Sequence, residues 1–266
     1  DYMSSLDMII KSLKYPFVNI KDFIVVGFIF CSVQLIDFIG LYFFDIHSTS
    51  LIGLITIILD IFIFGFLVSI VRHTIKGKND IPIFYLKESF IQGIKAIILK
   101  IFYFLIPCFI IYVIVILNGY DLNPFYKLLT VISLILKQSY TLKGAFNAFG
   151  MFELLMEHDL ILTSFVALIL FIIFDGLSFM SLGRLAETGS FREGLRLSLA
   201  SEKLKQMGLK NYTMWYIEFI LFSLIFIGIS SLVAEIPYIG LIIVAFVLTP
   251  YYFMFKYREI GLIYTK

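Results

Sequence analysis

The 266-residue chain has few of the side chains on which most enzymes, metalloproteins and disulfide-rich proteins depend. It has two cysteines, three histidines and one tryptophan. Cys31 and Cys108 lie in different apolar runs with no thiol or imidazole at metal-ligand spacing, which argues against a disulfide framework and a zinc site. The histidines form no His-Glu-x-x-His pattern, and no glycine-rich phosphate loop is present. We therefore expect no catalytic residues, no metal and no cofactor.

Charge is also scarce, at 15% of residues, whereas a soluble domain has about a quarter. Apolar residues make up 61% of the chain, and its mean hydropathy is +0.99. These values exclude a conventional water-soluble fold and indicate an integral membrane protein. The 21 basic and 19 acidic residues are too evenly balanced to indicate a nucleic-acid partner.

The long apolar runs predict an all-α fold, a polytopic transmembrane helical bundle with six spans. A helix needs about 20 mostly apolar residues to cross the hydrocarbon, since its backbone amides must be paired internally. No segment outside the runs is long enough for a second domain, so residues 1–266 form one integral membrane domain. The predicted spans are 23–44, 51–71, 94–117, 160–182, 213–234 and 236–255.

The basic residues predict the orientation. Three precede the first span, four follow the second, six follow the fourth and three follow the sixth, whereas the first and fifth connections have none and the third has three. All five arginines fall on the rich side. The positive-inside rule then places both termini in the cytoplasm and the protein in the cytoplasmic (plasma) membrane.

Four segments outside the spans are predicted to lie at the membrane surface. The third connection contains an apolar stretch that could be counted as a seventh span, but it is too short to cross unaided, and crossing would move six basic residues outside. We interpret it as an interfacial or re-entrant helix. The predicted interfacial helices are 4–15, 125–136, 145–157 and 190–207.

The helices at 4–15 and 190–207 begin with the spacing of a capping box, Ser4 with Asp7 and Ser190 with Glu193. In the second helix an apolar face opposes a basic one, as in helices that lie against anionic headgroups. It is either a topological anchor or a surface that recruits a lipid or a protein partner. The candidate binding residues are Arg184, Arg192, Arg196, Lys203 and Lys205.

The two largest connections on the basic side resemble each other. An arginine is followed five residues later by a glycine in both, Arg72 with Gly77 and Arg184 with Gly189. Either common ancestry or the shared demands of basic helix ends that stop at glycine could produce this match.

The same connections carry a family resemblance. They read GFLVSIVRHTIKGKNDIPIFYLKESFIQGIK at 65–95 and GRLAETGSFREGLRLSLASEKLKQMGLKNY at 183–212. The Gly77 to Pro82 turn and the Thr188-Gly189-Ser190 cap resemble signatures of a family of archaeal and bacterial multi-span membrane proteins known as domain of unknown function 4013. The resemblance covers most of the chain. It implies a location in the cytoplasmic membrane and supplies no activity and no catalytic residues.

Charged side chains inside a bilayer are costly and indicate a functional pathway or a buried pair. Asp175 and Lys100 lie at similar depth on different helices, where they could form an ion pair or contact a substrate. Asp60 lies near the middle of the second span, either protonated and hydrogen-bonded to Gln34 or a backbone carbonyl, or as a cation or proton site. Asp37 and Glu218 complete the set.

From sequence alone, the leading function is a non-enzymatic accessory, structural or lipid-interacting component of the membrane. Its expected partners are membrane lipids, mainly anionic headgroups on the cytoplasmic side, and a protein of a membrane complex. The alternative is a small-solute or ion transporter that uses the intramembrane carboxylates. A membrane-embedded enzyme is the third hypothesis.

Overall fold

The computed structural model describes residues 4–43, 51–117, 161–237 and 239–266, and this part of the chain consists of helices joined by short connections, without strands. The described chain begins with a short helix, α1 (Ser5–Lys14), and a single 3-10 turn (Tyr15–Phe17). Four long helices follow: α2 (Ile20–Phe43), α3 (Leu51–Ile75), α4 (Leu86–Leu117) and α5 (Ile161–Thr188). After α5 come α6 (Phe191–Gly194), α7 (Leu197–Met207), α8 (Leu209–Ala234), α9 (Gly240–Ile243) and α10 (Thr249–Tyr264), with a π-helical stretch (Val244–Leu248) joining α9 to α10.

The helices confirm the all-α membrane class. Within the described ranges, five segments are long and apolar enough to cross a bilayer: Leu54–Ile75, Leu86–Ile114, Ile169–Thr188, Lys210–Ala234 and Gly240–Tyr264. A sixth arises when α1 and the turn after it are joined to Ile20–Ile36, a pair bent by 83°. The bend turns α1 away from the axis of α2, as expected for a helix that lies at the surface. The predicted helices at 125–136 and 145–157 fall outside the described residues.

The amphipathic helix α1 begins as its sequence predicts. The Ser4 hydroxyl accepts a hydrogen bond from the amide of Asp7, and the Asp7 carboxylate accepts one from the amide of Ser4 at 3.2 Å. The Ser4 hydroxyl also donates to the Asp7 carboxylate at 2.7 Å, and this bond, together with the one from the Ser4 amide, holds the pKa of the Asp7 carboxyl below its ordinary value. Met8 and Ile9 are buried, whereas Leu6 and Ile10 are exposed, so α1 offers apolar side chains both to the bundle and away from it.

The second predicted capping box is not formed. Ser190 is the N-cap of α6, but its side chain makes no capping hydrogen bond. The Glu193 carboxylate lies 3.0 Å from Nε of Arg184, while the Ser190 amide donates to the Thr188 hydroxyl. The segment 190–207 also forms two helices, α6 and α7, separated at Leu195 and Arg196.

The last helix runs further than the predicted span, which ended at 255. Helix α10 continues to Tyr264, and most of its second half is buried against α1 and α3. The predicted cytoplasmic tail is therefore part of the core, and Arg258, which the sequence analysis counted as a tail cation, is buried. The other deep part of the core is the run 63–71 of α3.

Two ends of the chain meet at one end of the bundle. The Tyr251 hydroxyl donates to the carbonyl of Leu13 at 2.9 Å, and the Arg258 guanidinium lies over the ring of Tyr15 at 4.8 Å. Arg258 also donates to the carbonyl of Lys78, in the loop that follows α3. Helix α1, this loop and the end of α10 thus share one end of the bundle, here called the basic end.

Candidate functional site

The two similar connectors are joined at the basic end. Nε of Arg72, near the end of α3, donates to the carbonyl of Ala186 at 2.9 Å, and Nζ of Lys95, on α4, donates to the carbonyl of Gly189 at 2.8 Å. Both acceptors lie at the end of α5, where free carbonyls and the helix dipole favour positive charge. Arg72 also pairs with Glu88. Cations at the first connector, Arg72 and Lys95, therefore bind carbonyl groups at the end of α5, where the second connector begins.

The glycines of the two connectors share one backbone conformation. Gly77 has φ of +73° and Gly189 has φ of +70°, the left-handed region in which a helix commonly ends at glycine. The recurring arginine and glycine thus correspond to two helix ends with the same geometry.

The predicted basic surface divides into two kinds of side chain. Arg184 is held by Glu187 and Glu193, and Nζ of Lys203 lies 5.2 Å from the centroid of the Tyr264 ring. The remaining three, Arg192, Arg196 and Lys205, are exposed. The surface therefore has an ordered part and three accessible cations.

An open cavity of about 190 Å³ lies at the ordered part. Its lining combines two cations and one carboxylate with apolar and uncharged polar side chains: Arg184, Lys203, Glu202, Met180, Leu199, Gln206 and Tyr264. With two cations against one carboxylate beside an apolar wall, the cavity suits a ligand that is anionic at one end and apolar at the other.

Inside the bundle, Asp175 and Lys100 are near each other without direct contact. The Asp175 carboxylate accepts a hydrogen bond from the hydroxyl of Tyr216 at 2.9 Å. Lys100 is close enough to Asp175 and Lys256 to interact electrostatically with both. Among the described side chains, however, Lys100 and Asp175 form no ion pair within 4.0 Å.

Both lysines instead lie over aromatic rings. Nζ of Lys100 is 5.7 Å from the centroid of Phe64, and Nζ of Lys256 is 5.4 Å from that of Phe179. The hydroxyl of Tyr212 is also buried, close enough to feel the charge of Asp175, and finds no hydrogen-bond partner among the described residues. We call Lys100, Asp175, Lys256, Tyr212 and Tyr216 the lysine–aspartate cluster.

The other intramembrane candidates lie elsewhere. Gln34 is on α2 and Asp60 on α3, two helices that contact each other, and both side chains are half-buried. Asp37 belongs to α2, and its side chain lies outside the described part of the structure. The structure thus separates the predicted set into a cluster around Asp175 and a second group on α2 and α3.

Arg258 and Glu259 are among the buried polar residues that sequence reasoning missed. Arg258 donates to the Thr74 hydroxyl, to the carbonyl of Lys78 and to the side-chain oxygen of Asn79. Glu259 is fully buried and accepts a hydrogen bond from the indole of Trp215 at 2.6 Å. The available signal was the apolar residues that continue at helical spacing beyond 255, Tyr257, Ile260, Ile263 and Tyr264.

Three comparisons with known proteins complete the description. A family model described as "Protein of unknown function (DUF4013)" matches residues 48–235, from before α3 to just after α8. No curated protein and no solved structure matches the chain. Within the described residues, no group of three or more His, Cys, Asp or Glu side chains could hold a metal ion.

Proposed function

Since the chain belongs to the DUF4013 family of proteins of unknown function, we propose its function from the chemistry of its surface. We propose that it is a non-enzymatic accessory protein of the cytoplasmic membrane that binds anionic lipid headgroups at its basic end. In this proposal the basic end and both termini lie on the cytoplasmic side, as the positive-inside rule requires.

The observation that carries the proposal is the pairing of accessible cations with exposed apolar side chains at one end of the bundle. Arg192, Arg196 and Lys205 are exposed beside α7. On the same end, Leu6, Ile83 and Leu86 expose 55%, 71% and 64% of their surface. Apolar side chains at this end of the bundle can insert at the boundary between lipid headgroups and acyl chains, while the cations stay near the headgroups.

The cavity beside Arg184 and Lys203 supports a specific contact as well as a general attraction. Arginine donates in a fork that matches the oxygens of a phosphate, whereas lysine acts as a point charge. Met180 and Leu199 supply an apolar wall next to these cations. A phospholipid headgroup with the first part of its acyl chains has this combination of chemistry.

The proposal is tested by native mass spectrometry of the full chain released from nanodiscs that contain phosphatidylglycerol and phosphatidylcholine. The variant Arg192→Gln/Arg196→Gln/Lys205→Gln removes the three accessible cations. We expect a loss of bound phosphatidylglycerol of about tenfold or more, since each basic residue near the surface contributes about 1 kcal/mol.

The matched control is Lys14→Gln/Lys21→Gln/Lys87→Gln, which removes three exposed cations from other segments of the chain. Bound phosphatidylglycerol should fall less in this control than in the first variant. An equal loss in both would show only a dependence on net charge and would contradict a binding surface at 184–205.

We also place a protein partner of a membrane complex on the basic surface at 184–205. The same two variants test this placement, because a partner that binds this surface should no longer co-purify with the first variant and should still co-purify with the control. Loss of the partner from both variants would contradict this placement.

The second candidate function is transport of a small anionic solute, and the lysine–aspartate cluster favours it. With its three charged members ionised, the cluster carries a net charge of +1 inside the bundle, and the Tyr212 hydroxyl is available to donate. Uptake of glutamate or inorganic phosphate by proteoliposomes tests this function. Uptake that Lys100→Met abolishes would support it, and absence of uptake of both solutes would count against it.

A further inference from the structure

Two carboxylates come together beneath α1, in a place that plays no part in the lipid surface or the lysine–aspartate cluster. Glu259, on α10, has no exposed surface, and Glu218, on α8, is half-buried. Glu218 is near enough for its charge to act on Glu259. Two like charges in a buried site repel each other and lose hydration, so this arrangement requires compensation.

Helix α1 closes the site with two serines that are two turns apart on one face. The Ser5 hydroxyl donates to Oε1 of Glu218 at 3.0 Å. Ser12, whose side chain has no exposed surface, lies beside the carboxylate of Glu259. We call Ser5, Ser12, Trp215, Glu218 and Glu259 the carboxylate pocket.

Two buried carboxylate oxygens of this pocket have few donors among the described residues. Oε2 of Glu218 has none, and Oε1 of Glu259 has only the nearby hydroxyl of Ser12. The remaining oxygen of Glu259 is occupied by the Trp215 indole, at 2.6 Å. A buried polar atom without a partner lowers stability by about 1 to 3 kcal/mol, and by more when the group is charged. A ligand that pairs with these oxygens would therefore stabilise the folded protein.

The neighbouring arginine compensates the pocket only in part. Arg258 feels the charge of Glu259, but its two terminal nitrogens donate to Thr74, Lys78 and Asn79. With both carboxylates ionised, the pocket and Arg258 together carry a net charge of −1. One further positive charge makes the site neutral.

We propose that the carboxylate pocket binds one monovalent metal cation, with Glu218, Glu259 and Ser12 as its ligands from the chain. Carboxylate and hydroxyl oxygens are the ligands of hard cations, and membrane proteins hold Na⁺ between helices through such oxygens. A divalent ion would leave the site with a charge of +1. Since Ser12 belongs to α1, the bound cation also fixes α1 against α8 and α10.

The test uses the full chain in nanodiscs and Na⁺ as the probe. Thermal unfolding is followed while NaCl replaces choline chloride at constant ionic strength and constant pH. A ligand at ten times its Kd raises Tm by about 3 °C or more in a chain of this size. We expect a saturable rise of this order, together with binding of one radioactive ²²Na⁺ per chain.

Variants assign the effect to the pocket. Glu259→Gln and Glu218→Gln should each abolish the dependence on Na⁺, whereas the exposed Glu235→Gln should keep it. Ser12→Ala, which removes a hydroxyl and leaves both carboxylates, should raise the Na⁺ concentration of the half-maximal effect. This milder variant retains a test if a glutamine variant does not fold.

Several results would overturn the proposal. Stability that changes with pH but not with exchange of Na⁺ for choline would mean that the carboxylates share a proton. Stabilisation by MgCl₂ without any by NaCl would mean a divalent site. An undiminished Na⁺ effect in Glu259→Gln would place the cation elsewhere. None of these measurements involves the lipid surface, so they leave the proposed function untouched.

Discussion

At the scale of single residues, the buried charges of this protein are held by contacts that come from distant parts of the chain. Arg258 is the clearest example, because its guanidinium joins the loop after α3 to the last helix and also covers Tyr15. Its position after the last apolar run predicts a place in an exposed tail, yet its hydrogen-bond partners are 179 or more residues away in the sequence. A local pattern cannot reveal such partners.

Replacing Arg258 by methionine should lower the free energy of unfolding by about 3 kcal/mol or more, since loss of a buried charged partner has a cost of this size. Methionine keeps much of the length of the side chain but cannot donate to Thr74, Lys78 or Asn79. Reversible unfolding in detergent micelles measures the change. The exposed Arg192→Met should stay within about 0.5 kcal/mol of the unchanged protein, and equal effects of the two variants would refute the bridging role of Arg258.

A second prediction concerns the glycine that ends α3. A Cβ at Gly77 would meet nothing within 4 Å, so any cost of a side chain comes from its φ of +73°. Gly77→Ala should destabilise by about 1 kcal/mol, and Gly77→Asn by less, because asparagine tolerates this conformation better. The same unfolding measurement ranks the two variants. Equal stability of Gly77→Ala and the unchanged protein would contradict the left-handed helix end.

At the scale of elements, α3 and α4 approach each other closely at two glycines. A Cβ at Gly65 would lie 1.7 Å from the carbonyl oxygen of Ser89, and a Cβ at Gly93 would lie 1.8 Å from that of Ile61. Small residues allow such contacts between helices in membranes, where packing rather than burial from water drives association. The contact pairs glycines that are 28 residues apart in the sequence, Gly65 and Gly93, and became evident only in the structure.

Gly65→Ala should therefore separate α3 from α4 and destabilise the protein by about 2 kcal/mol or more, as a change that forces backbone to move in a packed contact does. The matched control is Gly228→Ala on α8, where an added Cβ meets nothing within 4 Å. Alanine at Gly228 should be neutral or slightly stabilising, because it is the better helix former. The contact is refuted if both variants keep the same melting temperature.

The last long helical segment shows both what the sequence predicts and where it fails. Its existence follows from its apolar run, but its path depends on Pro250, which has no amide proton to donate to the carbonyl of Phe246. The segment is π-helical just before this proline, and α2 approaches the Phe246 carbonyl at Gly27, where an added Cβ would lie 2.5 Å from the oxygen. The helical class was predictable from composition, whereas the extension to Tyr264 depends on burial by α1, a tertiary effect.

The candidate sites were also predictable only in part. The charge pattern of the sequence predicted the exposed cations of the basic surface at 184–205, and the similar depth of Asp175 and Lys100 in their spans predicted that they lie near each other. Lys256, Tyr212 and Glu259 could not be assigned from sequence, because each acquires its role from helices that meet only in the folded bundle. The capping box at Ser190 failed for a related reason, since Arg184 attracts the Glu193 carboxylate.

At the scale of the whole molecule, the first and last described helices meet at the basic end. Helix α1 packs on α10 through Leu13 and Tyr251, and the connectors after α3 and α5 meet through Arg72 and Lys95. The first and last described helices and the two basic connectors are therefore gathered at one end of the bundle. In our proposal this is the cytoplasmic side, as the positive-inside rule predicts.

The topology is tested most directly by labelling single cysteines placed at Ser4 and at Lys266, one at a time, in a chain in which Cys31 and Cys108 are replaced by alanine. An impermeant maleimide is applied to right-side-out and to inside-out membrane vesicles. We predict that both positions react only in the inside-out vesicles. Reaction of the two positions in vesicles of opposite orientation, or of both in right-side-out vesicles, would contradict a cytoplasmic basic end and the lipid surface proposed there.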